Sequence, residues 1–203
     1  MVRMDSRDLT AATRRIVGIV AALNLLGMLV ESVIAAAIGS VSLFADAADF
    51  LEDVLINGLV LLAAGWPVAS RRKASYALAG LILIPALAAL GTAVWRLVAG
   101  GAPEGGAITA TGVGALVINI VCAVLLVRLR RGHGSLARGA WLAARNDALA
   151  NVLIIAAGLV TLVWVSPWPD LVVGVVMAVV NGAAAVEVFR EAREENPELE
   201  LDD

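Results

Sequence analysis

The sequence predicts an all-α membrane protein with six transmembrane helices and both termini in the cytoplasm. Of its 203 residues, 61% are hydrophobic and 16% are charged, whereas soluble domains are nearer half apolar and a quarter charged. Apolar runs of about 20 residues, the length that crosses a hydrocarbon core, recur between short charged clusters. A soluble helical bundle fits poorly, because whole helices would be apolar on every face.

The apolar runs divide the chain into three parts. We expect a cytoplasmic lead-in at 1–13, a six-helix transmembrane domain at 14–190 and a short acidic cytoplasmic tail at 191–203. The predicted spans are 16–38, 43–64, 75–98, 108–127, 136–165 and 170–189.

The basic residues set the predicted orientation. They cluster in the N-terminal segment, the loop at 71–73, the loop at 128–138 and the start of the tail, and they are nearly absent from the other loops. Since cytoplasmic loops carry the excess of Lys and Arg, this alternation places both termini in the cytoplasm.

The second predicted span carries a polar stripe, which we define as Asp46, Asp49, Asp53 and Asn57. Their spacings of three, four and four place all four on one face of a helix. Glu52 lies off that face. Ionisable side chains within a bilayer are costly, and they mark substrate and ion pathways. The stripe is therefore the main candidate for a functional site.

Two other predicted spans carry polar residues at positions that share a face. Asn24 and Glu31 are seven residues apart in the first span. In the fifth span, Asp147 and Asn151 are four apart. Arg145 and Asn146 directly precede Asp147.

The depths of Asp53 and Asp147 predict a shared site. Each lies about ten residues from one end of its span, which is about 15 Å deep at the helical rise. Facing helices would bring Asp49, Asp53 and Asp147 together near the membrane midplane. Three carboxylates cannot all stay charged there without a cation or protons, and oxygen ligands suit hard or borderline metals. The pattern thus predicts a divalent metal site that exchanges with protons. For a single Asp, the alternatives are a hydrogen bond at a helix interface or an ion pair with Arg145.

The segment 39–53, GSVSLFADAADFLED, resembles the second-span signature of the cation diffusion facilitator family, G-S-x-[AS]-L-x-A-D-A-x-[HD]-x-x-x-D. Other spans match polar positions of the same family in the same order. These matches are Asn24 and Glu31 in the first span, Asn119 in the fourth, Asp147-Ala-Leu-Ala-Asn151 in the fifth and Trp168-Pro169-Asp170 at the sixth.

The resemblance implies a site of four ligands from spans two and five that binds a tetrahedral metal. Asp49, Asp53 and Asp147 match three of the ligand positions. The fourth position is Ala143, which cannot ligate, so another ligand is needed. The candidates are Asn151, which completes the predicted set, and Asn146, Asp46 or water. The remaining polar residues are predicted to support the site: Asp46, Asn57, Glu31, Asn24, Asn146 and Arg145.

The resemblance also implies a transporter rather than an enzyme. We expect efflux of a divalent cation by exchange for protons, with no cofactor. Zinc is the usual cargo of the family, and the absence of His and Cys ligands also favours manganese, iron or cobalt. The expected partners are the metal ion, protons and the lipid bilayer, with no nucleic acid. The chain is expected to be a short form of the family without the cytoplasmic domain. We expect it to be integral to a bacterial cytoplasmic membrane. A homodimer through the transmembrane helices is a further expectation.

Two other functions compete with transport. Ala143 and the nearby Arg145 suggest a non-transporting membrane protein on the same fold, which senses metal or binds a partner. An intramembrane aspartyl protease also needs two Asp on different spans. That class is disfavoured, because its Gly-x-Gly-Asp motif is missing: Gly112-Val-Gly114 is followed by Ala115.

Overall fold

The structure is a computed structural model that describes residues 11–62, 68–129 and 134–194. Within these residues the chain is all-helical, which confirms that part of the prediction. It forms α1 (Ala11–Ile38), α2 (Val41–Leu62), α3 (Val68–Ala99), α4 (Gly105–Leu129), α5 (Gly134–Val163) and α6 (Trp168–Glu194). The predicted lead-in and tail at 1–13 and 191–203 lie mostly outside the described residues.

Three of these helices are long and apolar enough to cross a membrane. The segments are Arg14–Ile38, Gly105–Val127 and Asn146–Val163, and Leu83–Ala99 and Trp168–Ala183 are shorter apolar helical segments. The length and composition of the three helices indicate a membrane protein. α2 has a comparable length, but it carries four acidic residues, all between Asp46 and Asp53.

The distribution of side chains is inverted relative to a soluble protein. Large apolar residues lie on the outer surface, where Val33 is 68% exposed and Val163 is 88% exposed. Polar Asn24, Glu31 and Asn151 are buried at 1% exposure or less. Monomeric soluble proteins rarely expose large apolar patches, so this arrangement also fits a membrane protein.

α2 lies at the centre of the bundle. It packs against α1, α3 and α6, and it contacts α5 sparingly. Nearly every residue between Val41 and Phe50 is buried. Among the described residues of α2, Ile56 is the only large apolar side chain that is strongly exposed. The polar stripe therefore lies inside protein.

The amino end of α2 is capped by a residue from another helix. The Asp170 carboxylate of α6 accepts hydrogen bonds from the Ser40 and Ser42 hydroxyls, both at 2.6 Å. It also accepts from the backbone amides of Val41 at 2.7 Å and Ser42 at 3.2 Å. The first amides of a helix have no partner within the helix, and a negative charge there also complements the helix dipole.

The carboxyl end of α1 is held from the opposite side. The Arg96 guanidinium of α3 donates to the carbonyl oxygens of Ile38 and of Gly39, the latter at 2.8 Å, and lies 5.0 Å from the Trp95 ring centroid. Gly39 has a φ of 64°, a conformation that glycine adopts without strain. We call Asp170, Arg96 and the turn that they bind the turn clamp.

Small residues allow α4 and α5 to approach closely. A Cβ built on Gly158 would lie 2.7 Å from the backbone nitrogen of Thr109, and one on Gly105 would lie 2.6 Å from the carbonyl oxygen of Gly158. Such backbone approach through small residues is typical of helix pairs in membranes.

Several helix boundaries differ from the predicted span boundaries. α2 begins at Val41 rather than at 43, since the Asp170 cap satisfies its first amides. The basic cluster at 71–73, predicted as a loop, is part of α3. α3 continues through Pro85, and α6 extends to Glu194, beyond the predicted end of the sixth span.

Candidate functional site

α2 and α5 bring the three predicted acidic ligands into one region. Asp49, Asp53 and Asp147 are each partly buried. Asp147 lies close enough to Asp49 and to Asp53 for their carboxylates to interact electrostatically. The side chains therefore share one electrostatic environment, although they come from positions almost one hundred residues apart.

Glu52 also belongs to this acidic region, although it lies off the helix face that defines the polar stripe. It interacts electrostatically with Asp49, Asp53 and Asp147. Glu52 lies three residues after Asp49, which is also a helical neighbour spacing. The (i, i+3) relation to Asp49 was the sequence signal that could have identified it.

The acidic side chains do not converge into a closed coordination sphere in this arrangement. Within 11–62, 68–129 and 134–194, no three His, Cys, Asp or Glu side chains lie close enough together to hold a metal ion. The Asp53 and Asp46 carboxylates are instead engaged by amide side chains.

Asp53 is held by an amide from α1. The Asn24 side-chain nitrogen donates to Asp53 Oδ2 at 3.1 Å. The Asn24 oxygen in turn accepts from the Cys122 thiol of α4, with a sulfur–oxygen distance of 3.6 Å. Because the thiol donates to the oxygen, the amide nitrogen faces the carboxylate.

Asp46 is held by an amide from α5. The Asn151 nitrogen donates to Asp46 Oδ1 at 3.0 Å and to Oδ2 at 2.8 Å. Asn119 of α4 donates to the Asn151 oxygen at 3.1 Å. Both ends of Asn151, which was predicted as a metal ligand, are thus engaged by protein groups.

The two hydrogen-bonded chains have the same construction. In each, a carboxylate of α2 accepts from an asparagine of a neighbouring helix, and a donor from α4 fixes the orientation of that asparagine. The two α4 donors, Asn119 and Cys122, are three residues apart and share a helix face. The family resemblance singled out Asn119, whereas no spacing in the sequence pointed to Cys122.

The other predicted supporting residues have different surroundings. Asn57 is buried, and its nitrogen donates to the backbone carbonyl of Asp53 at 2.7 Å, not to a carboxylate. Asn146 is exposed on α5. Arg145 lies in α5, but its side chain is outside the described part of the structure, so the predicted ion pair has no geometric test here.

Glu31 is buried more completely than its predicted supporting role requires. It is 1% exposed, no donor group of the described residues bonds to either carboxylate oxygen, and its carboxyl group lies within hydrogen-bonding reach of the Asp46 carboxylate, so the pair can share a proton. Asp46 and Asp49 lie close enough to interact with it electrostatically. Its position places a further acidic group beside the polar stripe.

The acidic residues of this region favour positive charge or protons. Several carboxylates lie within electrostatic range of one another inside an apolar bundle, where like charges repel unless positive charge is supplied. The described residues of the site supply neutral amide and thiol donors, which stabilise a carboxylate but do not neutralise it. Comparison with protein-family models and with curated proteins finds no match for this chain.

Proposed function

We propose that this protein exchanges a divalent metal cation for protons across a membrane, with Asp49, Asp53 and Asp147 as the metal-binding residues. The observation that carries the proposal is that Asp147 of α5 lies within electrostatic range of Asp49 and Asp53 of α2 inside an apolar bundle. The proposal includes six spans with both termini cytoplasmic, as in the cation diffusion facilitator family, and a bacterial cytoplasmic membrane as the location.

The charge of the site supports cation binding. Two unit charges about 4 Å apart interact by about 4 kcal/mol at the effective dielectric constant of a protein. Three neighbouring carboxylates therefore favour either protons or a divalent ion, and the two compete for the same oxygens. This competition is the physical basis of exchange, because metal entry displaces protons and proton entry displaces metal.

The ligand chemistry supports hard or borderline metals. All three proposed ligands are carboxylates, and the fourth oxygen comes from water, or from Asn151 once its oxygen is released from Asn119. Zinc accepts such ligands, and manganese, iron and cobalt do so as well. Binding requires the carboxylates of α2 and α5 to approach each other, and the sparse contact between these two helices is compatible with that movement.

The proposal predicts metal-driven proton movement in proteoliposomes that contain a pH-sensitive dye. Addition of Zn²⁺, Mn²⁺, Fe²⁺ or Co²⁺ to one side should change the internal pH. Asp53→Asn and Asp147→Asn should each reduce the initial rate at least about tenfold, the effect of about 1.4 kcal/mol of lost cation stabilisation. Glu104→Gln is the matched control, since Glu104 is exposed and lies just before α4.

Two results would contradict the proposal. Absence of proton flux with all four metals would exclude proton-coupled transport. Normal flux in both aspartate variants would show that the site is elsewhere. Retention of the wild-type circular dichroism spectrum by the variants separates a loss of transport from a loss of fold.

A non-transporting, metal-sensing or partner-binding protein is the second candidate function. It is favoured by the hydrogen bonds that Asn24 and Asn151 make to Asp53 and Asp46, because these amide donors already stabilise the two carboxylates. Calorimetry with the same four metals distinguishes the candidates. Metal binding without flux would favour a sensor, and neither binding nor flux would favour a partner-binding role.

A further inference from the structure

Asn24 lies directly against one of the proposed metal ligands. Its side chain is fully buried, and its amide nitrogen donates to Asp53 Oδ2 at 3.1 Å. Its amide oxygen accepts from the Cys122 thiol across a sulfur–oxygen distance of 3.6 Å. The nitrogen and oxygen of an amide are similar in size, so a half-turn of the terminal torsion exchanges their positions without moving the backbone. That half-turn places the amide oxygen beside Asp53 and the nitrogen beside the thiol sulfur.

The second amide of the site is held more firmly. The Asn151 nitrogen donates to both carboxylate oxygens of Asp46, and the Asn151 oxygen accepts from the Asn119 nitrogen at 3.1 Å. A half-turn of Asn151 would set its nitrogen against the donor nitrogen of Asn119. A half-turn of Asn24 would set its nitrogen against the Cys122 sulfur, which is a weak donor in one orientation and a weak acceptor in the other. Asn24 is therefore the amide that can turn at the lower cost.

We propose that Asn24 turns to become the fourth ligand when a divalent metal binds at Asp53. Amide carbonyl oxygens, like carboxylates, suit hard and borderline divalent metals. Cys122 is a positioning residue, because its thiol holds the amide oxygen away from the site until the metal arrives. The inference rests on the proposed metal transport, and it fills the ligand position that Ala143 leaves without a donor.

The metal supplies the driving force for the turn. In the orientation of this structure, the positive end of the Asn24 amide dipole faces Asp53, where it stabilises the carboxylate and opposes an approaching cation. After the turn, the negative end faces the cation, and the two hydrogen bonds are replaced by a metal–oxygen bond and a weak contact with sulfur. Departure of the metal returns the N–H donor to Asp53. The same residue thus stabilises the carboxylate between rounds of transport.

The infrared S–H stretching band tests the turn directly. Cys122 is the only cysteine of the chain, so the band reports on one thiol, and it moves to lower wavenumber when the thiol donates a hydrogen bond. The sample is the full-length protein in phosphatidylcholine nanodiscs. Saturation with Zn²⁺, Mn²⁺, Fe²⁺ or Co²⁺ should move the band to higher wavenumber, because the amide oxygen leaves the thiol. Asn24→Leu should show the higher wavenumber with and without metal.

Calorimetric titration with the same four metals gives a second readout. Asn24→Leu should weaken metal binding at least about tenfold, because the metal loses a ligand. Cys122→Ala should strengthen binding about twofold to tenfold, since the hydrogen bond that opposes the turn is lost. Cys122→Ser restores a donor and should reverse that gain. Val113→Ala is the matched control, because this side chain of α4 is 47% exposed and its truncation should change neither readout.

The inference is overturned if the S–H band stays in place while metal binds, or if Cys122→Ala shows no gain in affinity. Asn24→Leu with unchanged or tighter metal binding would show that Asn24 only donates to Asp53, which also overturns it. If the wild type binds none of the four metals, the proposed transport fails and the inference fails with it, whereas metal binding with an unmoved band overturns the inference alone. If Asn24→Leu does not fold, the wild-type band and Cys122→Ala decide the question.

Discussion

Asp170→Ala tests whether the cap that α6 provides is a principal source of stability. The substitution removes the acceptor of four hydrogen bonds at a site where Ser40, Val41 and Ser42 are all fully buried. We expect α2 to lose its capped first turn and the bundle to lose a contact between residues about 130 positions apart.

The size of the loss follows from the donors that remain. The two serine hydroxyl oxygens are 3.4 Å apart, so these groups can hydrogen-bond to each other after the substitution. The backbone amides of Val41 and Ser42 have no such substitute. At about 1–3 kcal/mol for each buried donor without a partner, the free energy of unfolding should fall by about 2–6 kcal/mol. Asp170→Asn keeps one acceptor oxygen and should lose less.

The assay is unfolding by sodium dodecyl sulfate titration in mixed micelles, followed by circular dichroism. Val179→Ala in the same helix is the control, since this side chain is 63% exposed and its truncation should change the free energy of unfolding by no more than about 0.5 kcal/mol. If Asp170→Ala unfolds at the same detergent fraction as the wild type, the cap contributes no net stability and the reasoning fails.

Two further substitutions test the packing between helices. Gly158→Ala should destabilise the protein by about 1–3 kcal/mol, because the new Cβ forces α4 and α5 apart. Gly91→Ala, in open surroundings, should be neutral or stabilising in the same titration. Equal effects of the two substitutions would show that the close approach of α4 and α5 does not depend on Gly158. Arg96→Lys should cost about 1–2 kcal/mol, because an ammonium group cannot reproduce the forked contact with the carbonyls of Ile38 and Gly39; a wild-type transition would show that charge alone is sufficient.

The sequence alone was sufficient to identify the helices and the polar stripe. Hydrophobic run length and helical spacing are local properties, and they place Asp49 and Asp53 on one face without knowledge of the fold. The common region of α2 and α5 was reached from the depth of Asp53 and Asp147 in their predicted spans. Whether these carboxylates bind a metal stays a prediction.

The spacing of residues along the sequence does not predict contacts between residues that are far apart in the chain. Asp170 caps α2 across about 130 positions, and Asn151 donates to Asp46 instead of lying free beside Asp147. The hydropathy pattern assigns no role to Arg96, yet this residue binds the end of α1. Each of these contacts depends on which helices are neighbours, which a single hydropathy pattern does not specify.

The turn clamp holds the first residues of α2 more firmly than its distal end, where no such clamp is seen among the described residues. The Asp170 carboxylate binds the first amides of α2, and the Arg96 guanidinium binds the carbonyls at the end of α1. The turn between these helices is therefore the restrained end of α2. Any swing of α2 relative to α5 then has its smallest amplitude at Val41 and grows along the helix towards Leu62. Asp53 lies farther from Val41 than Asp46 does. The same rotation of α2 therefore changes the distance between Asp53 and α5 more than the distance between Asp46 and α5.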